Sequence, residues 1–430
     1  MATLIFIVST FAKAALMWGL TLTFILINIF FERKVCALIQ DRVGPNRAHI
    51  AGIRFFGFIY NFADAVKLLF KEDIVPHFVH KFYFLVAPTI IMTIALLGGS
   101  VIPFADDMKL GIWTFKMQVI DLNIGILFIL AITSLSVYSI VLSGWGSNSK
   151  YPLFAAVRSS AQMISYEIAM GLSLVGLIMI FGTVNLGELV RHQSGTVLGF
   201  LPQWGIVIQP LGFLLFFTAS MAELNRNPFD LPEGESEIVG FHIEYSSMKF
   251  ALFFMGEYAN IFVASAVTVT LFLGGWQIPY VSTDMLKTHA ALTCQIASGA
   301  IIVAAIIFGA LLVRFYKTRT YRWNDMRDSE PYVIFALLAI VVLVSSLLIG
   351  VSLSLEFNEV ASALTAALIQ FGSFIVKTLL ICFTIVWIRW TLPRFRYDQL
   401  MAFGWKILLP LGILNLFITG LFILWQQRIQ

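Results

Sequence analysis

The chain has 430 residues, of which 59% are hydrophobic and 12% charged, and its mean hydropathy is +0.88. Apolar runs long enough to cross a bilayer recur along it, which excludes a water-soluble globular enzyme. The formal net charge of +4 carries little information, because the charges are distributed by membrane side, and no nucleic-acid partner is expected.

The sequence predicts an all-α polytopic membrane protein of about ten spans, near 4–31, 82–103, 121–143, 161–182, 205–224, 250–274, 291–313, 331–354, 361–388 and 404–425. The first span is far longer than a signal-peptide core and is expected to be retained. Segment 52–71 differs. Phe55, Phe56, Ile59, Phe62, Val66 and Phe70 share one face, while Asp64, Lys67 and Lys71 recur at helical spacing, which predicts an amphipathic interfacial helix.

Charge sets the orientation. Segments 32–81, 314–330 and 389–406 carry eight, five and four Lys/Arg, whereas loops 104–120, 183–204 and 275–290 carry two, one and one. The basic segments are expected on the inner side. With an even number of spans, both termini then fall on the outer, periplasmic side. The loop at 222–249 falls inside by parity although it is acidic.

Four inner-side segments differ from ordinary connectors. Glu32-Arg33-Lys34 is followed by a Gly44-Pro45-Asn46 turn. Arg33 could anchor its helix at the headgroups. Asn148 to Tyr151 leads to Arg158 and then to Glu167, which is expected about two turns into a span. A carboxylate there is costly unless paired or hydrated. Glu223 to Glu237 packs five acidic residues (Glu223, Asp230, Glu233, Glu235, Glu237) and two prolines into 15 positions, and Glu257 follows in the next span. Carboxylates crowded against a bilayer fit proton handling or a charged partner, although a solvated acidic loop has the same charge pattern. Glu167, Glu223 and Glu257 could line a polar path for protons. In the last segment Arg394, Arg396 and Asp398 alternate with Phe395 and Tyr397. These arginines could cap a span, clamp the acidic loop or meet an acidic partner.

No Rossmann fingerprint, P-loop or nucleophile triad is present. Cys36, Cys294 and Cys382 lie far apart, so no disulfide framework, zinc site or iron–sulfur cluster is expected. Any electrons handled here must come from another subunit.

The strings ERKVCALIQDRVGPNRA, ADAVKLLFKEDIVP, GWGSNSKYPLFAAVRSSAQMISYEIA, AELNRNPFDLPEGESEIVGFHIEYSSMKFALFFMGEYANI and TLPRFRYDQLMAFGWKILLPL run collinearly from residue 32 to about 412. Together they resemble the membrane subunit called H, or subunit 1, of respiratory complex I (NADH:quinone oxidoreductase). The resemblance implies a subunit that forms the membrane part of a quinone chamber and couples quinone reduction to proton pumping. By motif match, Arg33, Asp64, Lys67, Arg394 and Arg396 fall near the chamber. Glu167, Glu223, Asp230, Glu233, Glu235, Glu237 and Glu257 fall in the acidic loop and proton path. The resemblance also implies quinone as substrate, with NADH, FMN and iron–sulfur clusters in partner subunits. Those partners would be the peripheral quinone-site and iron–sulfur subunits, the neighbouring membrane-arm subunits and lipids, in a bacterial inner membrane.

The chain departs from that family in places. Tyr60-Asn61 stands where the family usually has Gln-Pro, after a few extra residues following Arg47, and Leu224 replaces a usual Thr. The family usually has eight spans, so 281–356 reads as an inserted two-helix hairpin between a membrane domain at 1–280 and two final spans at 357–430. The hairpin is expected to pack at the periphery and to contribute nothing to the chamber or acidic path. A membrane subunit of an energy-converting hydrogenase and a secondary transporter are the competing readings. The Gly-Pro-Asn-Arg and Arg-Phe-Arg-Tyr-Asp-Gln-Leu-Met strings favour complex I, and no internal repeat of the transporter kind is visible.

Overall fold

The computed structural model describes residues 2–110, 113–197, 199–230, 240–318, 330–354 and 358–429. It is a helical bundle whose strands, among the described residues, are two short antiparallel hairpins, β1 (Met108–Leu110) with β2 (Trp113–Phe115) and β3 (Thr196–Val197) with β4 (Leu201–Pro202). In chain order the helices are α1 (Ala2–Ile39), α2 (Ile59–Phe70), α3 (Lys81–Ser100), α4 (Gly125–Ser134), α5 (Ser136–Gly146), α6 (Lys150–Phe181), α7 (Leu186–His192), α8 (Gly205–Ile208), α9 (Pro210–Glu223), α10 (Ser247–Phe272), α11 (Thr283–Thr288), α12 (Ala290–Thr318), α13 (Glu330–Ser354), α14 (Glu359–Thr391), α15 (Tyr397–Phe403) and α16 (Leu409–Ile429).

Among the described residues, nine helical segments are long and apolar enough to cross a membrane, α4–α5 and α15–α16 each counting as one. The chain is therefore an integral membrane protein. The remaining expected span, 205–224, is broken. Gln209 leaves helical geometry, Pro210 starts α9, and α9 has only 14 residues. That is about 21 Å, short of a hydrocarbon core of about 30 Å. Gln209 is buried at the break and donates to Thr419 Oγ1 at 2.6 Å.

The core is built around α10, whose apolar stretch is 61% buried, whereas those of α12 and α13 are 11% buried. Phe262, Ala266, Val269 and Phe272 of α10 pack with Phe24 of α1, Phe216 of α9 and Phe374 of α14. The hairpin α12–α13 pairs with itself beside α14 and presents its remaining surface outward. Lipid is the solvent such a surface needs.

Two boundaries differ from the sequence reading. The surface helix begins at Ile59, not near residue 52, because Phe55 and Phe56 have positive φ and cannot continue an α-helix. Glu167 lies near the middle of α6, not two turns in, because residues from Lys150 onward already belong to that helix. A half-buried lysine also ends a helix here. Lys377 of α14 donates to the carbonyls of Leu273, Gly275 and Gln277 at 2.9, 3.1 and 2.5 Å, beyond the end of α10. Gly274 and Gly275 both adopt positive φ in that turn.

Candidate functional site

One cluster of charges sits where α1, α10 and α14 meet the segment after α9. Glu32 Oε2 accepts from Arg226 Nη1 at 3.1 Å and from the Tyr258 hydroxyl at 2.5 Å, while Oε1 accepts from Arg389 Nη1. Arg226 lies over the Tyr258 ring, 4.4 Å from its centroid, and its other terminal nitrogen is 3.7 Å from Glu257. Two carboxylates and two guanidiniums thus balance in charge. That balance, with charge-assisted hydrogen bonds, is what lets ionised groups remain out of water. Together with His242, Phe250, Phe253 and Phe254 these groups line a cavity of about 150 Å³.

Glu257 also walls a second cavity of about 20 Å³, shared with Glu223, Asn225, Asn260 and Ser136. Glu223 in turn walls a third, of about 60 Å³, lined largely by apolar side chains such as Ile94, Ile129, Leu174 and Phe216. Each exceeds the roughly 10–15 Å³ that a water molecule needs. Three spaces therefore follow one another, with Glu257 and Glu223 as the shared walls. Thr133 lines the third cavity beside Glu223, and Glu167 accepts from the Ser134 hydroxyl. Thr133 and Ser134 end α4 just before its break with α5, so two carboxylates from different helices converge on that break.

Arg33 pairs with Asp64 on the surface helix α2. Asn61 is buried and donates to the carbonyl of Leu26 at 2.8 Å, and the Tyr60 hydroxyl accepts from the Arg47 amide at 3.2 Å. Tyr60 and Asn61 thus tie α2 to α1 and to the loop before it. Lys67 lies on the exposed side of α2.

The acidic loop is held at its start. Arg394 Nη2 lies 3.3 Å from Asp230 Oδ2, the Phe395 amide donates to the Pro228 carbonyl at 3.1 Å, and Asn227 Nδ2 donates to the Arg389 carbonyl at 3.0 Å. Arg394 therefore joins the acidic loop and not the Arg33–Asp64 pair. Arg396 pairs locally with Asp398 at 3.1 Å. Glu233, Glu235 and Glu237 lie outside the described residues.

Sequence reasoning assigned no role to Glu32, Arg226, Tyr258 or Arg389. Arg389 stands at the end of a span, where a basic residue is ordinarily a headgroup anchor. Glu32 stands one place before Arg33, and only the helical rotation of about 100° per residue separates the inward carboxylate from the guanidinium facing α2. Asn225 could have marked the site. It is a non-glycine residue with φ of 50°, and its side chain donates to Ser159 Oγ at 3.0 Å.

The chain is similar to a family model described as NADH dehydrogenase over residues 12–327 and 329–420. A relative from Solibacter usitatus, the H 1 subunit of its NADH-quinone oxidoreductase, is 42% identical over 426 residues, 98% of each chain. The H 1 subunit of the Cytophaga hutchinsonii NADH-quinone oxidoreductase is 38% identical over 94% of each chain. NADH-quinone oxidoreductase subunit 8 of Rhodothermus marinus is 38% identical over 94% of this chain and 97% of its own.

Proposed function

This chain belongs to the NADH dehydrogenase family, and from that premise we propose that it is the H-type membrane subunit of a proton-pumping NADH:quinone oxidoreductase. In this reading it holds no redox centre. Electrons arrive from NADH through FMN and iron–sulfur clusters in peripheral partners, and neighbouring membrane-arm subunits continue the proton path in a bacterial inner membrane. The basic segments face inward and the termini outward.

Two parts of the chain divide the work. Arg33, Asp64 and Lys67, beside the apolar face of α2, form the entrance of a quinone chamber, where greasy walls suit a long isoprenoid tail and a few polar groups orient the headgroup. Guanidinium and hydroxyl donors of Arg226, Arg389 and Tyr258 fit carbonyl oxygens, and Phe250, Phe253 and Phe254 fit the faces of a ring. Arg394 and Arg396 sit at the rim near the acidic loop, where Arg394 holds Asp230; the role assigned to Glu233, Glu235 and Glu237 of that loop is docking of the peripheral partners.

The observation that carries the reading is the series of three cavities whose shared walls are Glu257 and Glu223. Arg226 divides its charge between Glu32 and Glu257. Drawing Arg226 toward the first cavity leaves Glu257 less compensated and favours proton uptake there. A proton on Glu257 can then pass, through water in the second cavity, to Glu223 and on toward Glu167.

The test is reconstitution of the assembled complex in proteoliposomes. Glu223→Gln and Glu257→Gln should each lower quinone reductase activity and proton pumping while the complex remains intact. Full coupled turnover in both variants would sink the proton-path reading.

A further inference from the structure

The loop that follows Arg47 and the hairpin α12–α13 meet at one buried ion pair. Glu330 is the first residue of α13 and is 2% exposed. Its carboxylate Oε2 accepts from Arg54 Nε at 2.7 Å and lies 2.5 Å from Arg54 Nη2. The other oxygen, Oε1, accepts from the Phe56 backbone amide at 3.3 Å. Arg54 is 1% exposed and stands in the loop between Arg47 and α2. The Lys34 ammonium adds a further positive charge within electrostatic reach of Glu330, and donates to the Val43 carbonyl at 3.2 Å.

The backbone that Glu330 holds is strained. Ala51, Phe55 and Phe56 have φ of 50°, 44° and 56°. Side chains other than glycine seldom adopt such values, and two consecutive phenylalanines do so less readily still. Gly57, at φ of 97°, passes so close to Pro45 that a Cβ there would stand 2.1 Å from the Pro45 carbonyl oxygen. Strained backbone persists only where its surroundings over-determine it. Glu330 supplies part of that constraint, because its two oxygens bond the residues on either side of Phe55. The next helix, α2, starts at Ile59 and carries Asp64 to Arg33.

We infer that Glu330 is a positioning residue: through Arg54 and the Phe56 amide, the hairpin α12–α13 fixes the loop 47–58 and with it the place of Asp64 against Arg33. The membrane-facing bulk of the hairpin is peripheral, but the first residue of its second helix is part of the frame of the surface helix. The inference rests on the reading of Arg33 and Asp64 as entrance residues of a quinone chamber.

The test uses the assembled complex and four variants: Glu330→Gln, Glu330→Met, Arg54→Met and the Arg54→Met/Glu330→Met double. Two quantities are read, the KM for long-tailed quinone against kcat, and amide hydrogen exchange over residues 50–64. Glu330→Gln should raise KM about five-fold with little change in kcat, and should speed exchange in that segment. The double variant should do no more harm than either single methionine variant, because it buries no lone charge. Additive effects would overturn the inference, and so would wild-type exchange in the double variant, which remains readable even if the single variants fail to assemble. Arg33→Ala separates the two readings. If it raises KM while Glu330→Gln moves neither KM nor exchange, the positioning inference fails alone. If it leaves KM unchanged while Glu330→Gln speeds exchange, the chamber reading fails and the positioning of α2 by Glu330 is upheld.

Discussion

Glu32 and Arg226 are 194 residues apart in the chain, yet their side chains meet at 3.1 Å inside the bundle. The pair sits between Arg389 and Glu257, so each charge has an opposite neighbour on two sides. Both are nearly enclosed, Arg226 at 5% and Glu32 at 12% side-chain exposure. Screening by water is therefore weak, and the consequence of removing one charge is large.

Glu32→Ala should leave two guanidiniums facing each other without their shared carboxylate. Breaking a buried pair on one side costs about 3–5 kcal/mol. The variant should assemble poorly and lower the thermal midpoint of the solubilised complex, whereas Glu32→Asp should recover much of the loss. Normal assembly and an unchanged midpoint in Glu32→Ala would show that water screens this cluster.

Arg33→Ala should act differently, because the Arg33–Asp64 pair is partly exposed, at 36% and 42% of side-chain surface. Such pairs contribute little to stability, about 0–1 kcal/mol. The expected effect is on quinone use. Turnover with long-tailed quinone should fall more than electron transfer from NADH to an artificial acceptor that bypasses the chamber. Equal loss in the two assays would point to failed assembly instead.

Lys377→Met should remove the donor shared by the Leu273, Gly275 and Gln277 carbonyls. Each buried acceptor left unsatisfied costs about 1–3 kcal/mol. The variant should lose thermal stability while the quinone KM of the complex that forms stays near wild type. A changed KM with unchanged stability would contradict a purely structural part for this lysine.

A pH effect is expected at the opposite end of the bundle. Burial works against the charge of Asp121, but hydrogen bonds from Lys116 and Asn185 outweigh it and hold its carboxyl below the ordinary 3.8. The hydrogen bond to Asp121 raises Lys116 above its ordinary 10.5. A lowered carboxyl contributes stability that is complete above its unfolded value and is lost as pH falls through the folded one. A raised ammonium contributes stability that is complete below its unfolded value and is lost as pH rises through the folded one. The pair should therefore stabilise the chain between about pH 4 and pH 10. Asp121→Asn should flatten the acid side of a plot of thermal midpoint against pH, and an unchanged acid limb would remove the pair from the account.

The solvent, the helical class and the helix at 59–70 were legible in the chain, because they follow from apolar run length and from the spacing of residues such as Phe62, Val66 and Phe70 along one segment. Among the described residues, nine full-length segments and one shortened by Pro210 are close to the ten expected spans. The carboxylates Glu167, Glu223 and Glu257 were also visible, since an acid inside an apolar run stands out without any knowledge of its neighbours. What faces those acids was decided only by the tertiary structure. Glu32, Arg226 and Arg389 come from three distant segments, and the partner of Glu330 lies 276 residues away at Arg54. An ion pair is a property of two positions in space, and composition and periodicity describe only one segment at a time. The hairpin shows the same division. Its two spans could be read from their hydropathy, but the contact of Glu330 with a strained loop exists only once α13 packs where a buried carboxylate can reach an arginine.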